Sequence, residues 1–251
     1  MATVWDYLLE VKQRRGAGYL ILLDPDRLSG EELERRALLG AKCGADALLV
    51  GTSLMLSSKH LAFFEFLKSS VDIPVLSFPG SGSHVSPLAD AVLFLSVISG
   101  RNPELLIGEQ VRSAPVLKEM GMEVISTGYM LVESGRQTSV EFISNTRPMP
   151  RDKNDIAMAH ALAAEYIGMK TVYLEGGSGA LQPVADEMVR AVAGYVSLPI
   201  IVGGGIRDPE TARRKVEAGA SFVVTGKMLE SDNAGLEDQI RSLSAAVHGK
   251  I

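Results

Sequence analysis

Short apolar runs, each closed by a carboxylate or by Gly and Ser, alternate along the chain with longer stretches whose apolar positions recur every three or four residues. The short runs fall at 19–23, 47–50, 74–76, 91–95, 123–125, 171–174, 199–202 and 222–224. Because they lack polar alternation, they predict strands covered on both faces. The longer stretches predict helices at 3–15, 29–43, 58–70, 84–89, within 102–121, and at 152–167, 180–194, 208–218 and 234–247. Thr3 and Ser29 stand where N-caps belong, Val4, Leu8 and Val11 form one stripe, and Glu31 and Glu32 favour the start of the second helix. Residues 130–153 break the rhythm, being too long for a simple strand–helix loop.

Strand and helix alternating eight times predict a parallel α/β sheet closed as a single (β/α)₈ TIM barrel spanning residues 1–251. A doubly wound open sheet would carry a Gly-rich fingerprint after its first strand, where this chain has Asp24-Pro25-Asp26. The Gly-rich turns instead follow strands six to eight, the usual place for a phosphate site in such barrels.

Composition narrows the class. A net charge of −5 gives no reason to expect a nucleic acid or an anionic membrane as partner. The single cysteine, Cys43, excludes an internal disulfide and Cys-rich metal sites, and its small-residue setting reads as a buried helix position. No basic, apolar leader opens the chain, and no apolar run approaches the roughly 20 residues of a membrane span, so a cytoplasmic protein without a span is expected. Trp5 and Tyr7 suit either a plug in the barrel bottom or a subunit contact.

Polar residues at the C-terminal ends of barrel strands face the site. Three such ends shed their side chains, at Gly176-Gly177-Ser178-Gly179, Gly203-Gly204-Gly205 and Thr225-Gly226, which together make a cup of N–H donors for a phosphate. Glu175 enters that cup at a strand tip, as a general base or a hydroxyl clamp, and Tyr173 lies on the same side of the strand. Asp24 ends an otherwise apolar strand and suits Mg²⁺, which takes few protein oxygens. Asp26 suits a metal, an Asx turn or a helix cap, and Ser53 a further metal oxygen or a cap. The four histidines are scattered, which disfavours zinc. Lys227 follows Gly226 on the rim, where a phosphate contact or solvent suits it better than a Schiff base, which needs a lysine inside the barrel.

The segments Leu23-Asp24-Pro25-Asp26, Val50-Gly51-Thr52-Ser53, Phe78-Pro79-Gly80-Ser81, Asn102-Pro103-Glu104, Ser139-Val140-Glu141, Tyr173-Leu174-Glu175-Gly176-Gly177-Ser178-Gly179, Val202-Gly203-Gly204-Gly205-Ile206 and Val224-Thr225-Gly226 follow one another as in geranylgeranylglyceryl phosphate synthases, which the chain resembles from about residue 4 to 245. Ile143-Ser144-Asn145-Thr146-Arg147-Pro148 and Pro150-Arg151-Asp152 resemble that family's second group. The resemblance implies a barrel that joins sn-glycerol 1-phosphate to geranylgeranyl diphosphate through an ether bond, releasing pyrophosphate, early in archaeal-type lipid synthesis. It implies Mg²⁺ on Asp24 and Ser53. It also implies glycerol phosphate against Tyr173, Leu174, Glu175, Gly176, Gly177, Ser178, Gly179, Gly203, Gly204, Thr225 and Gly226, and assembly as a dimer or hexamer. Two positions depart from relatives: Leu22 stands where one branch has Lys, and Lys227 where many carry a neutral residue. Phe63, Phe64, Tyr129 and Met130 are the candidates for a prenyl groove. Two other readings share the phosphate cup, a phosphosugar isomerase or aldolase and a non-catalytic phosphate-binding barrel.

Overall fold

The computed structural model describes residues 2–28, 30–230 and 235–249; the N-cap expected at Ser29 and the first residue of the closing helix, Ala234, lie outside them. Eight strands, β1 (Gly18–Leu23), β2 (Ala47–Val50), β3 (Val75–Ser77), β4 (Ala91–Val97), β5 (Glu123–Leu131), β6 (Thr171–Glu175), β7 (Ile200–Gly203) and β8 (Phe222–Thr225), pair in parallel in chain order. β8 pairs with β1 and closes the barrel. The helices are α1 (Val4–Arg15), α2 (Gly30–Lys42), α3 (Lys59–Ser70), α4 (Glu109–Glu119), α5 (Ser139–Ser144), α6 (Asn154–Ile167), α7 (Asp186–Ala193), α8 (Pro209–Glu217) and α9 (Leu236–Val247). Among the described residues none is long and apolar enough to cross a membrane.

Each strand divides its side chains between two cores, as the two-residue period requires. Leu20, Leu49, Leu76, Leu93, Ile201 and Phe222 fill the barrel interior. Ile21, Leu48, Val50, Val172, Val202 and Val223 face the helices. Helix α1 is not part of the outer ring alone. Its Trp5 and Leu8 belong to the interior core, and the Trp5 ring lies 5.9 Å from that of Phe222, so α1 plugs the N-terminal end of the barrel.

Polar contacts fix the plug. Thr3 caps α1 in a box with Asp6: each accepts the other's backbone N–H, an arrangement worth about 1 kcal/mol. Glu123, at the start of β5, accepts the N–H groups of Val4 (2.6 Å) and Trp5 (2.9 Å), placing a carboxylate on the positive end of the helix. Asp46, just before β2, is buried and accepts from Tyr19 N–H (2.7 Å), lies 3.1 Å from Arg15 Nη1 and 2.7 Å from His248 Nε2. One carboxylate thus ties α1, β1, the β2 entry and the end of α9.

Three expectations change. The strand ending at 125 continues to Leu131, so Met130 and Leu131 are strand, and the irregular segment shrinks to the stretch carrying α5. A Val132–Met149 bridge closes the base of that segment. The helix expected at 84–89 is a single 3₁₀ turn at Gly82–His84.

Asp46→Ala should lower stability by about 2 to 3 kcal/mol, because it orphans the buried Tyr19 N–H and removes the partner of His248 Nε2 and Arg15. Urea or thermal unfolding reads this. Ligand binding below the melting transition should persist, since Asp46 lies at the end of the barrel away from the strand tips; a change under about 1 kcal/mol would remove Asp46 from its central place.

Candidate active site

A cavity of about 770 Å³ opens over the C-terminal strand ends. One end is polar, walled by Asp24, Ser53, Glu175, Gly177, Gly204 and Lys227. The rest of the lining is largely apolar, with Val85, Val92, Leu105, Leu117, Val140 and Phe142, interrupted on α4 by Glu109, Gln110 and Ser113. A cavity with one charged and one greasy end suits a ligand built the same way.

Glu175 is the last residue of β6, and 6 % of its surface is exposed. Losing water drives its carboxyl up from the ordinary 4.5 to about 7, opposed by the Gly177 N–H and then by the Tyr173 hydroxyl. Gly177 N–H donates to Oε1. The Tyr173 hydroxyl is near enough to favour the ionised carboxyl, yet it has no aligned hydrogen-bond partner among the described residues although fully buried. That leaves a buried donor aimed beside Glu175, a group a ligand oxygen would satisfy. Tyr173 stacks on Phe78 (centroids 5.5 Å, 13° between planes) and tilts against Tyr129 (5.5 Å, 39°). The three rings form the aromatic floor under the carboxylate.

The loops of β6 and β7 close on each other around that carboxylate. A Cβ on Gly204 would lie 2.5 Å from Glu175 Oε1 and 2.6 Å from Gly177 N, and the residue has φ +82°, so only glycine fits there. Arg207 donates to the carbonyls of Ala180 and Leu181, Arg151 to Pro183 and Lys215 to Val184. Four carbonyls after the cup are thereby pulled away from it.

Asp24, at the tip of β1, accepts Asp26 N–H (3.0 Å) through one oxygen and has Arg27 Nε 3.5 Å from the other. Asp26 also lines the cavity, and it accepts Leu56 N–H (2.7 Å) and the Ser57 hydroxyl (2.6 Å), so it staples the β2–α3 loop. Ser53 lines the cavity and does not cap α3, whose N-cap position is Ser58. Among the described residues no three His, Cys, Asp or Glu side chains gather as a metal cage.

The structure brings Asp24, Ser53, Tyr173, Glu175, Gly177, Ser178, Gly179, Gly204, Thr225 and Gly226 to one cavity. It does not bring Leu174, Gly176 or Gly203 to the cavity wall. Leu174 packs against the helices, Gly176 N–H is used by Gly203 O (3.0 Å), and Gly203 makes room for Tyr173, whose hydroxyl would lie 2.4 Å from a Cβ there. Thr225 offers backbone only, because its hydroxyl shares a 2.8 Å hydrogen bond with Tyr19 on the helix side. Of the groove candidates, Phe63, Phe64 and Met130 lie in the outer core and only Tyr129 reaches the cavity. Sequence reasoning missed Leu105, Leu117 and Phe142. Leu105 sits in a single π turn, Glu104–Gly108, and Phe142 in a six-residue helix within the irregular segment, so neither carried a period to read.

A family model described as the PcrB family matches residues 9–247. A protein of Chitinophaga pinensis named geranylgeranylglyceryl phosphate synthase is 45 % identical over 97 % of this chain and 96 % of its own. One of Flavobacterium johnsoniae with the same name is 44 % identical over 93 % and 96 %. The fold superposes with a TM-score of 0.93 and 33 % identity, over 99 % of this chain and 100 % of the other, on a crystal structure of (S)-3-O-geranylgeranylglyceryl phosphate synthase from Thermoplasma acidophilum in complex with its substrate sn-glycerol-1-phosphate. With a match of that extent laid over a closed eight-stranded barrel, this chain belongs to the PcrB family.

Proposed function

We propose that the protein is a cytoplasmic prenyltransferase that moves a geranylgeranyl group from its diphosphate to the free hydroxyl of sn-glycerol 1-phosphate. The observation that carries this reading is a dry carboxylate between a glycine cup and an apolar-walled channel, in a member of a family whose relatives bear that activity as their name. The acceptor's phosphate meets the N–H groups of the β6 to β8 loops, and its hydroxyl lies by Glu175 and Tyr173. Glu175 takes the hydroxyl proton as the oxygen attacks C1 of the prenyl chain. The C–O bond to the diphosphate breaks, and its electron pair leaves with pyrophosphate. The apolar wall keeps water from competing for the allylic carbon.

Asp24 and Ser53 are the residues that would hold Mg²⁺. The donor set fits: one carboxylate and one hydroxyl, with no cage of three acids or histidines among the described residues, suit an ion that completes its shell with water and substrate phosphates. Bound there, Mg²⁺ supplies charge neutralisation for a departing diphosphate. The same reading includes a dimer or hexamer, for which Tyr166 and Ile167, 81 % and 71 % exposed at the end of α6, provide apolar surface.

The isomerase or aldolase reading has less support. Lys227 stands on the rim after β8, and the buried Lys215 lies on α8 with its amine on Val184 O and Asp186. Neither enters the barrel.

Labelled sn-glycerol 1-phosphate with geranylgeranyl diphosphate and Mg²⁺ should give a lipid-soluble product that chelator abolishes and sn-glycerol 3-phosphate does not replace. If folded protein makes no product with any polyprenyl diphosphate, the prenyltransferase reading fails. Asp24→Asn should weaken binding of Mg²⁺ and diphosphate together, read by calorimetry with the two added jointly; unchanged binding would take Asp24 out of that role.

Glu175 should act in opposite directions on rate and stability. As a base it must be ionised, so kcat/KM should rise with pH through an inflection near 7. Glu175→Gln should cost roughly 10²- to 10⁴-fold and remove that inflection. Folding holds the proton on Glu175 between its ordinary 4.5 and about 7. Stability from this group is therefore full below about 4.5 and falls as pH rises, reaching a loss of about 3 kcal/mol above 7. Glu175→Gln should then melt roughly 5 °C or more above the parent at pH 8 and near it at pH 4. Equal melting at both pH values would mean that Glu175 is not a dry carboxylate.

A further inference from the structure

We infer that Lys227 is the charged ligand of the acceptor's phosphate, the single cation that completes a cup otherwise built of backbone. The inference rests on the proposed reaction for the identity of that phosphate. Three basic side chains line the cavity: Arg27, Arg207 and Lys227. Two are engaged. Arg27 lies 3.5 Å from Asp24 at β1, and Arg207 holds the carbonyls of Ala180 and Leu181. Lys227 has no hydrogen bond or ion pair among the described residues.

Its position is specific. Lys227 opens the short 3₁₀ turn after β8, yet its amine lies over the β6 loop: a Cβ built on Gly179 would come within 3.2 Å of Nζ. The side chain therefore reaches from β8 past the β7 loop to β6, across the three glycine-ended turns. Gly179 has φ +78° and no side chain, so the amine sits where an L side chain would crowd it. Lys227 is exposed and its charge also reaches Glu230 of the same turn, so the placement of its amine over the bare backbone at the cavity wall is what singles it out. A tetrahedral phosphate there would take N–H bonds from the loops and a charge-assisted bond from Nζ. The amine also lies on the acceptor side, at β6, whereas the expected diphosphate anchor, Asp24, stands on β1. Lys227 thus binds the small substrate and leaves the prenyl diphosphate to other groups.

The test is calorimetry of the full chain with inorganic phosphate and with sn-glycerol 1-phosphate, joined to steady-state kinetics. Lys227→Met should weaken both ligands roughly 10- to 100-fold, the share of one charge-assisted bond. It should raise KM for glycerol phosphate by a similar factor, while kcat and KM for geranylgeranyl diphosphate stay within about twofold. Lys227→Arg should restore most of the affinity. Lys42→Met, which removes the same charge from a lysine paired with Glu237 across α2 and α9, should change nothing. The inference is overturned by unchanged phosphate affinity in Lys227→Met, by a shift confined to KM for the diphosphate, or by absent phosphate binding in the parent protein. Phosphate binding is read without turnover, so failure of prenyl transfer would count against the proposed reaction alone.

Discussion

The site depends on one costly placement, a carboxylate removed from water at the tip of a parallel strand. Burial favours the neutral form of Glu175, and the single Gly177 N–H and the Tyr173 hydroxyl only partly oppose it. Everything near it is arranged around that oxygen. Gly204 has no side chain because a Cβ would strike it, and Gly203 has none because Tyr173 needs the room below. The aromatic rings of Phe78, Tyr129 and Tyr173 supply a floor without charges to compensate. A carboxylate held this way is a poor contributor to stability and a good proton acceptor near neutral pH.

Such a site needs a rigid holder, and the barrel divides the work between its ends. At the N-terminal end, Trp5 and Leu8 fill the interior while Glu123 and Asp46 accept backbone N–H groups that would otherwise be orphaned. At the C-terminal end the strands stop in loops with few side chains, and the cavity begins. Outside the cup, Arg207, Arg151 and Lys215 hold the carbonyls of Ala180, Leu181, Pro183 and Val184, which anchors the loop that follows β6. Stability accumulates where no ligand comes, and exposed backbone where one does.

Most of this division was legible in the sequence because it rests on short-range patterns. Continuous apolar runs located all eight strands, and Glu175 and Asp24 stood out as charges at the ends of such runs. What was misread lies where one residue type has two physical uses. Ser126, Thr127 and Gly128 read as the end of β5, yet the strand continues through them. Thr127 satisfies its hydroxyl on Ile125 O (2.9 Å), and Gly128 is small because Ile98, Ala164 and Met169 press against it, not because the chain turns. Leu174 was grouped with the ligand contacts through the family resemblance, and the strand's alternation turns its side chain to the helices. The apolar channel was invisible for a different reason. Its walls come from a π turn, one face of α4 and the short α5, which meet only after the barrel closes.

The glycine cup by itself does not choose among phosphate-binding barrels, since backbone N–H groups recognise a phosphate whatever is attached to it. Two features outside the cup make the choice. A sensor that binds phosphate gains nothing from a carboxyl that ionises near pH 7 beside the ligand, because the anion it becomes weakens binding. An isomerase or aldolase of small polar substrates gains nothing from a channel walled by Val85, Leu105, Leu117 and Phe142, which would leave apolar surface wet. An acceptor with a phosphate and a hydroxyl, meeting a donor with a long hydrocarbon tail, uses both. The two substrates then explain each other's half of the cavity: the tail displaces water from the apolar wall, while the fold's own burial of Glu175 makes it basic enough to take the acceptor's proton.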